Sequence, residues 1–266
     1  MIDKFKMDTW RLINSEVTNP YFNMALEEAI AKTVGEGLAV NTLRFWRNDK
    51  SVILGRFQSI ELEVDLNACI KHNLAVVRRF TGGGAVYHDL GNLNYSIAIN
   101  QRNTLSKNMK DIQFFFMKTS LSVIEGLKNL GLNSNFKKPN VILIDGRKIS
   151  GVAGAIRWNT IFHHGCLLVS SNLSILREVL NCFKENYISS KKWVSSKKIE
   201  VTNIKEFANK KIELNDVKNA LKKGFEKVYG VRLIEGSLSL NELKKAEELY
   251  KDKYCNYKWI YEGIEV

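Results

Sequence analysis

The run Arg78-Arg79-Phe80-Thr81-Gly82-Gly83-Gly84-Ala85-Val86-Tyr87-His88 sets two planar cationic forks beside three consecutive glycines. Residues without Cβ let a ligand approach bare backbone N–H groups, and guanidinium groups donate in pairs to phosphate or carboxylate oxygens. The chemistry this suits is the holding of an anion. A dinucleotide-binding loop would need Gly-x-Gly-x-x-Gly opening a helix, whereas these glycines run into the strand-like Ala85-Val86-Tyr87-His88. A Walker-type loop fails too, because no Lys-Ser/Thr pair follows at its spacing. The plain alternative is a glycine-rich turn with solvated arginines.

A second candidate is Lys148, in Asp145-Gly146-Arg147-Lys148-Ile149-Ser150-Gly151. Asp-Gly favours a two-residue hairpin, so Lys148 sits just past a tight turn, with Gly151, Ala153, Gly154 and Ala155 permitting close approach. An ammonium there can donate to a phosphate or carbonyl oxygen where negative charge develops during acyl transfer. A solvated lysine beside a hairpin is the alternative, and the two stretches together favour a site. His163 and His164 are neighbours on a predicted strand, so they point to opposite faces, cannot easily share one metal, and leave one ring able to face a pocket, with a packed or surface histidine the plainer reading for each. Cys166, with no base beside it, reads as core.

These groups need a scaffold. A helix is predicted over 23–30, with Glu27 and Glu28 in its first turn, and β-rich runs at 43–46, 51–54, 74–80 and 93–99 form a sheet with the glycine loop between its strands. A helix over 111–130, capped by Asp111 and closed by Gly131, precedes strands at 141–144, from 147 and at 161–169, and a short helix near Leu173. Beyond Glu213 come helices at 215–229 and 240–254, the second opened by a Ser239/Glu242 capping box. The fold class expected is α+β, with 1–266 one domain and 213–266 a mainly helical flank.

The 266 residues hold 45% hydrophobic side chains, enough for a sizeable core. No run reaches the roughly 18 apolar residues of a membrane span and the N-terminus lacks a signal-like centre, so the expectation is a cytoplasmic protein without a membrane partner. Cys69, Cys166, Cys182 and Cys255 show no metal or disulfide spacing. A formal charge of +12 favours acidic partners. Lys191-Lys192 and Lys197-Lys198 motivate a nucleic-acid reading, yet the same pairs would steer an acidic carrier protein.

The ordered motifs RRFTGGGAVYHDLGNLNYS, DGRKISGVAGAIR and FHHGCLLV resemble the lipoate–protein ligase family, over most of the chain. The resemblance implies a mixed β-sheet flanked by helices, similar to the catalytic fold of biotin/lipoate ligases and class II aminoacyl-tRNA synthetases. It implies ATP and Mg2+ as co-substrates, lipoate as substrate, and no tightly bound cofactor. Lipoate would attack the α-phosphate to give lipoyl-adenylate, and a carrier lysine would then displace AMP. Lys148 matches the catalytic lysine, and the adenylate would lie along Arg79, Gly82, Gly83 and Gly84, with Arg78 assisting. Ala85, Val86 and Tyr87 would offer main-chain groups to adenine, and His88, Gly151 and His164 belong to the same implied site. The strand over 149–156 would wall an acyl tunnel.

The implied partners are a lipoyl carrier domain, from a 2-oxoacid dehydrogenase acyltransferase subunit or a glycine-cleavage carrier protein, and a separate accessory ligase chain; nucleic acid is not among them. The family often has an aspartate before the catalytic lysine that helps hold magnesium. Asn140-Val141 stands in that region here, leaving the metal ligands undefined. An octanoyl or lipoyl transferase working through a cysteine thioester is the alternative, with Cys182 roughly where one such class carries its nucleophile, though without the expected Pro-Cys-Gly context.

Overall fold

The computed structural model describes residues 7–102, 112–188 and 192–265. Its strands are β1 (Asp8–Asn14), β2 (Thr42–Trp46), β3 (Ser51–Leu54), β4 (Ala75–Arg78), β5 (Val86–His88), β6 (Asn92–Asn100), β7 (Asn135–Lys137), β8 (Val141–Ile144), β9 (Arg147–Arg157), β10 (Thr160–Leu168) and β11 (Val231–Glu235). The α-helices are α1 (Pro20–Gly35), α2 (Ile60–Glu63), α3 (Leu66–Lys71), α4 (Ile112–Lys128), α5 (Leu173–Val179), α6 (Leu214–Tyr229) and α7 (Leu240–Leu249).

Apolar and polar residues alternate along β6, a pattern that usually marks a strand with one wet face. Here β6 is central, in an eight-stranded sheet of order β11-β1-β2-β6-β10-β9-β8-β7, and both faces are covered. The pairs β11/β1 and β1/β2 are parallel and the remaining ladders antiparallel, so the sheet is mixed. On one face Leu93, Tyr95, Ile97 and Ile99 pack with Phe115, Val123 and Leu127 of α4 and Val217, Leu221 and Phe225 of α6. The opposite face, carrying Asn94, Ser96 and Ala98, is covered in part by α1 and the C-terminal residues Tyr254, Trp259 and Ile260.

The strands expected to form one sheet divide into two. β4, β3 and β5 make a separate three-stranded sheet with its own core against α2, α3 and α5, and the glycine loop links β4 to β5. The first helix begins at Pro20, not Asn23, because Asn19 Oδ1 accepts the Phe22 N–H (3.0 Å) and Pro20 needs no helical donor. Glu27 and Glu28 are therefore mid-helix and buried, not placed at the dipole as expected.

In the C-terminal flank a strand missed by the sequence reading, β11, separates the helices. It starts after Gly230, whose φ of 68° ends α6. The expected helix over 240–254 runs as α7 to Leu249 and then widens into a π-helical turn over Tyr250–Tyr254. Strand β1 and the edge strand β7 were also unforeseen. The Asp111 cap and Lys191 lie outside the described residues. No described helix is long and apolar enough to cross a membrane.

Candidate active site

A cavity of about 510 Å³ is lined by β9, β10, β5, the end of the glycine loop and the segment 194–199. One irregularity aims the lysine. Val141 pairs with Gly151 and Ile142 with Ser150, but Leu143 pairs with Lys148, so Ile149 is an extra residue on β9. In a regular strand positions 148 and 151, an odd number apart, would face opposite sides. The bulge puts Ile149 in the core and swings Lys148 onto the cavity face with Gly151. The lysine arm then lies over Gly151, where a Cβ would stand 3.0 Å from Lys148 Cε and 3.1 Å from Nζ.

Arg79 is buried in the root of the glycine loop. Its Nη2 donates to Gly82 O (2.6 Å) and Gly84 O (2.8 Å), Nη1 to Ile53 O (3.0 Å) and Nε to Thr81 Oγ1 (3.1 Å). The guanidinium thus shapes the loop from within, and burial lowers its pKa to about 10. Thr81 Oγ1 in turn lies 2.7 Å from His164 Nε2, and His164 Nδ1 lies 3.3 Å from Glu27 Oε2. Glu27 also accepts from Arg44 Nη1 (3.0 Å) and Ser96 Oγ (2.8 Å). With Glu27 and Thr81 oriented this way, His164 donates through Nδ1 and accepts through Nε2. Burial, only partly opposed by Glu27, lowers its pKa. The ring is a neutral link with both nitrogens engaged.

Of the residues singled out from sequence, Arg79, Gly83, Gly84, Ala85, Val86, Tyr87, His88, Lys148, Gly151 and His164 line this cavity. Arg78 and Gly82 do not. Arg78 is 1% exposed, and its guanidinium donates to the carbonyls of Gly55 (2.9 Å), Gln58 (2.7 Å), Trp259 (2.9 Å) and Ile260 (2.9 Å). Adjacent residues of an extended chain point apart, so both arginines could not reach one ligand. Gly82 gives its carbonyl to Arg79 and turns its Cα toward Phe57. His163 lies on the far face, over Phe116 (4.4 Å) and near Thr119 Oγ1 (3.1 Å).

Several contributors escaped the sequence reading. Ser196 Oγ accepts the Ala85 N–H (3.0 Å) and the Gln58 amide (3.1 Å), pinning the segment 194–199 across the loop. Lys197 and Lys198, read as a surface pair, line the cavity with Lys137 and Lys138. With Arg79 and Lys148 they make six cationic side chains, and none of the described lining residues is Asp or Glu. Three lining residues, Trp46 (Nε1), His88 (Nε2) and Asn94 (both amide atoms), hold buried polar atoms with no partner. Nothing in local sequence announces these.

The same lining decides the fit of a metal. Magnesium favours oxygen ligands, commonly one or two carboxylates, and among the described residues no carboxylate lines the cavity. Asn140, in the region where the resemblance implies a metal-holding aspartate, donates its amide to Val152 O (2.9 Å). Among the described residues no group of three His, Cys, Asp or Glu could hold a metal. The donor set does not fit a protein-ligated magnesium ion.

Cys166 and Cys182 also line the cavity. Burial raises the pKa of both thiols, that of Cys182 to about 11.

Residues 19–226 match the family model described as the lipoyl protein ligase A/B catalytic domain. The chain is 34% identical to lipoate-protein ligase A subunit 1 of Thermoplasma acidophilum, over 91% of this chain and 92% of that one. It is 29% identical to octanoyltransferase LipM of Geobacillus kaustophilus, over 95% and 98% respectively. Among solved structures, a bi-partite lipoate protein ligase from T. acidophilum, described with its E2 lipoyl domain, matches with a TM-score of 0.83 at 32% identity, covering 98% of each chain. A lipoate-protein ligase A bound with ATP matches at 0.82 and 31%, covering 97% of this chain and 100% of that one. A T. acidophilum protein with bound lipoic acid matches at 0.81 and 32%, covering 96% and 100%.

Proposed function

The chain belongs to the lipoyl protein ligase A/B catalytic domain family, and from that premise we propose that it activates lipoate with ATP and passes the lipoyl group to a lysine of a lipoyl carrier domain. In the first step a carboxylate oxygen of lipoate attacks the α-phosphorus and pyrophosphate leaves. In the second the carrier amine attacks the carbonyl of the mixed anhydride, AMP departs with the bonding electrons, and the amine proton is lost to solvent. The observation that carries this reading is a cavity lining that, among the described residues, holds six cations and no carboxylate, suited to a triphosphate and to the anionic states of both steps.

Lys148 has the central part. Its ammonium, brought over Gly151 by the bulge, is in position to bond the acyl carbonyl and a non-bridging phosphate oxygen, holding the anhydride and neutralising the charge that builds on it. Arg79 keeps the glycine loop open for the nucleotide, and residues 85–87 supply main-chain groups once Ser196 releases the Ala85 N–H. Magnesium belongs to the co-substrate as its counter-ion, and no step relies on the protein to hold it. The Thermoplasma relative described as bi-partite is the reason to supply an accessory chain when activation is tested. We read 1–266 as one catalytic module, because Trp259 and Ile260 brace the strand leading into the glycine loop. Four free thiols suit a reducing cytoplasm.

A transferase reading draws on Cys182, which lines the same cavity and feels the charge of Lys148. Its thiolate would attack an acyl-carrier thioester, release the carrier thiol, and then give the acyl group to the target lysine. A thiol that burial and the nearby Glu63 charge hold near pKa 11 makes this the weaker reading. Mass spectrometry of a lipoyl domain separates the two. The ligase predicts an ATP-dependent gain of one lipoyl group, with the accessory chain supplied in a parallel reaction. Transfer only from octanoyl-carrier thioester without ATP would overturn it.

A further inference from the structure

Asn94 is the third residue of β6, paired in register with Trp46 on one side and Cys166 on the other, and is 1% exposed. Its side-chain nitrogen and oxygen are both buried without a hydrogen-bond partner, and so is the neighbouring Trp46 Nε1. An unbonded buried amide costs stability that a leucine of similar size would not cost. The free protein gains nothing from this residue, so its use lies in what enters the cavity. Cys166 pairs with Gly151, under the arm of Lys148, and Asn94 is one strand beyond Cys166. That sets Asn94 about 10 Å from the Gly151 backbone, at two strand spacings, within reach of the far part of an eight-carbon acid whose carboxyl end is at Lys148.

We propose that Asn94, with the Trp46 N–H beside it, is a specificity-determining contact that favours a sulfur-bearing ring at the end of the acid over a plain alkyl end. The inference rests on the acyl-acid reading above. Both groups carry a neutral N–H without a partner in the free protein. A thioether-like sulfur is a weak, neutral acceptor that can accept from them, whereas an alkyl tail leaves them unbonded. A site built around donors discriminates most against the analogue that lacks the acceptor.

The test is calorimetric titration of the full chain with lipoate and with octanoate, before and after Asn94→Leu, alongside thermal unfolding of the ligand-free proteins. Wild type should prefer lipoate. Asn94→Leu should weaken lipoate roughly tenfold, leave octanoate unchanged or tighter, and raise the melting temperature, a combination that a merely structural asparagine would not produce. Should the leucine variant fail to fold, Asn94→Ala, which adds no bulk, reads the same ratio. A lipoate-to-octanoate ratio unmoved by the substitution overturns the inference while leaving the acyl-acid reading intact. Failure of wild type to bind either acid overturns both.

Discussion

At the scale of single residues, the ammonium of Lys148 is the group on which the proposed transfer leans. Lys148→Ala should lower lipoyl transfer by about 100- to 1000-fold, as expected for loss of one preorganised donor, with the melting temperature nearly unchanged. A folded variant with full activity in the mass-spectrometric assay would remove the lysine from the mechanism. Cys182 offers a contrasting measurement. With its pKa near 11, on the order of one thiol in a thousand is ionised at pH 8, so alkylation should be slow and rise about tenfold per pH unit toward 11. Fast alkylation at neutral pH, with Cys182→Ser abolishing turnover, would favour the transferase. Cys182 and most of the loop residues were nameable from sequence because glycines, arginines and cysteines carry their chemistry in their type, whereas Cys166, read as core, lines the cavity. The separation of Arg78 from Arg79 was not, because it follows from which side of a strand each one leaves.

Among the elements, β9 decides the geometry. Gly151→Ala would set a methyl group about 3 Å from the end of the Lys148 side chain. That end is flexible, so the protein should fold with a loss of stability under about 1 kcal/mol while transfer falls at least tenfold through misplacement of the ammonium. Unaltered kinetics in Gly151→Ala would mean that the lysine does not work from over Gly151. The strand and hairpin around Lys148 were legible in the Asp-Gly turn and the apolar run before it. The bulge at Ile149 was not, since it exists only in the register against β8. The alternation of β6 does not mark a solvent face. Its polar face is buried, and those polar residues build the site instead of meeting solvent.

For the molecule as a whole, buried neutral histidines should govern behaviour in mild acid. Burial holds His88 and His163 near pKa 3, while in the unfolded chain they titrate near 6.5. Below 6.5 the unfolded state takes up protons that the folded state refuses, so stability falls as pH drops toward 3 and is fully present above 6.5. Denaturant unfolding should show a loss of about 2 kcal/mol per histidine between pH 6.5 and 5, and a flat profile there would contradict the burial of both rings.

The overall architecture was legible as α+β, because strand-like and helical periodicities segregate along the chain. Its division into two sheets and the return of β11 to β1 were not, being pairings between segments far apart in sequence. That distance has a temporal side. Arg78 needs the carbonyls of Trp259 and Ile260, 181 and 182 residues later, and the indole of Trp259 closes the clasp on the Arg78 carbonyl. During synthesis, then, a nascent chain that has already made its glycine loop and its lysine still carries a guanidinium short of its native acceptors at the root of that loop. The root of the glycine loop is completed only as Ile260 leaves the ribosome, so a chain still short of that residue should not hold the loop in its final form.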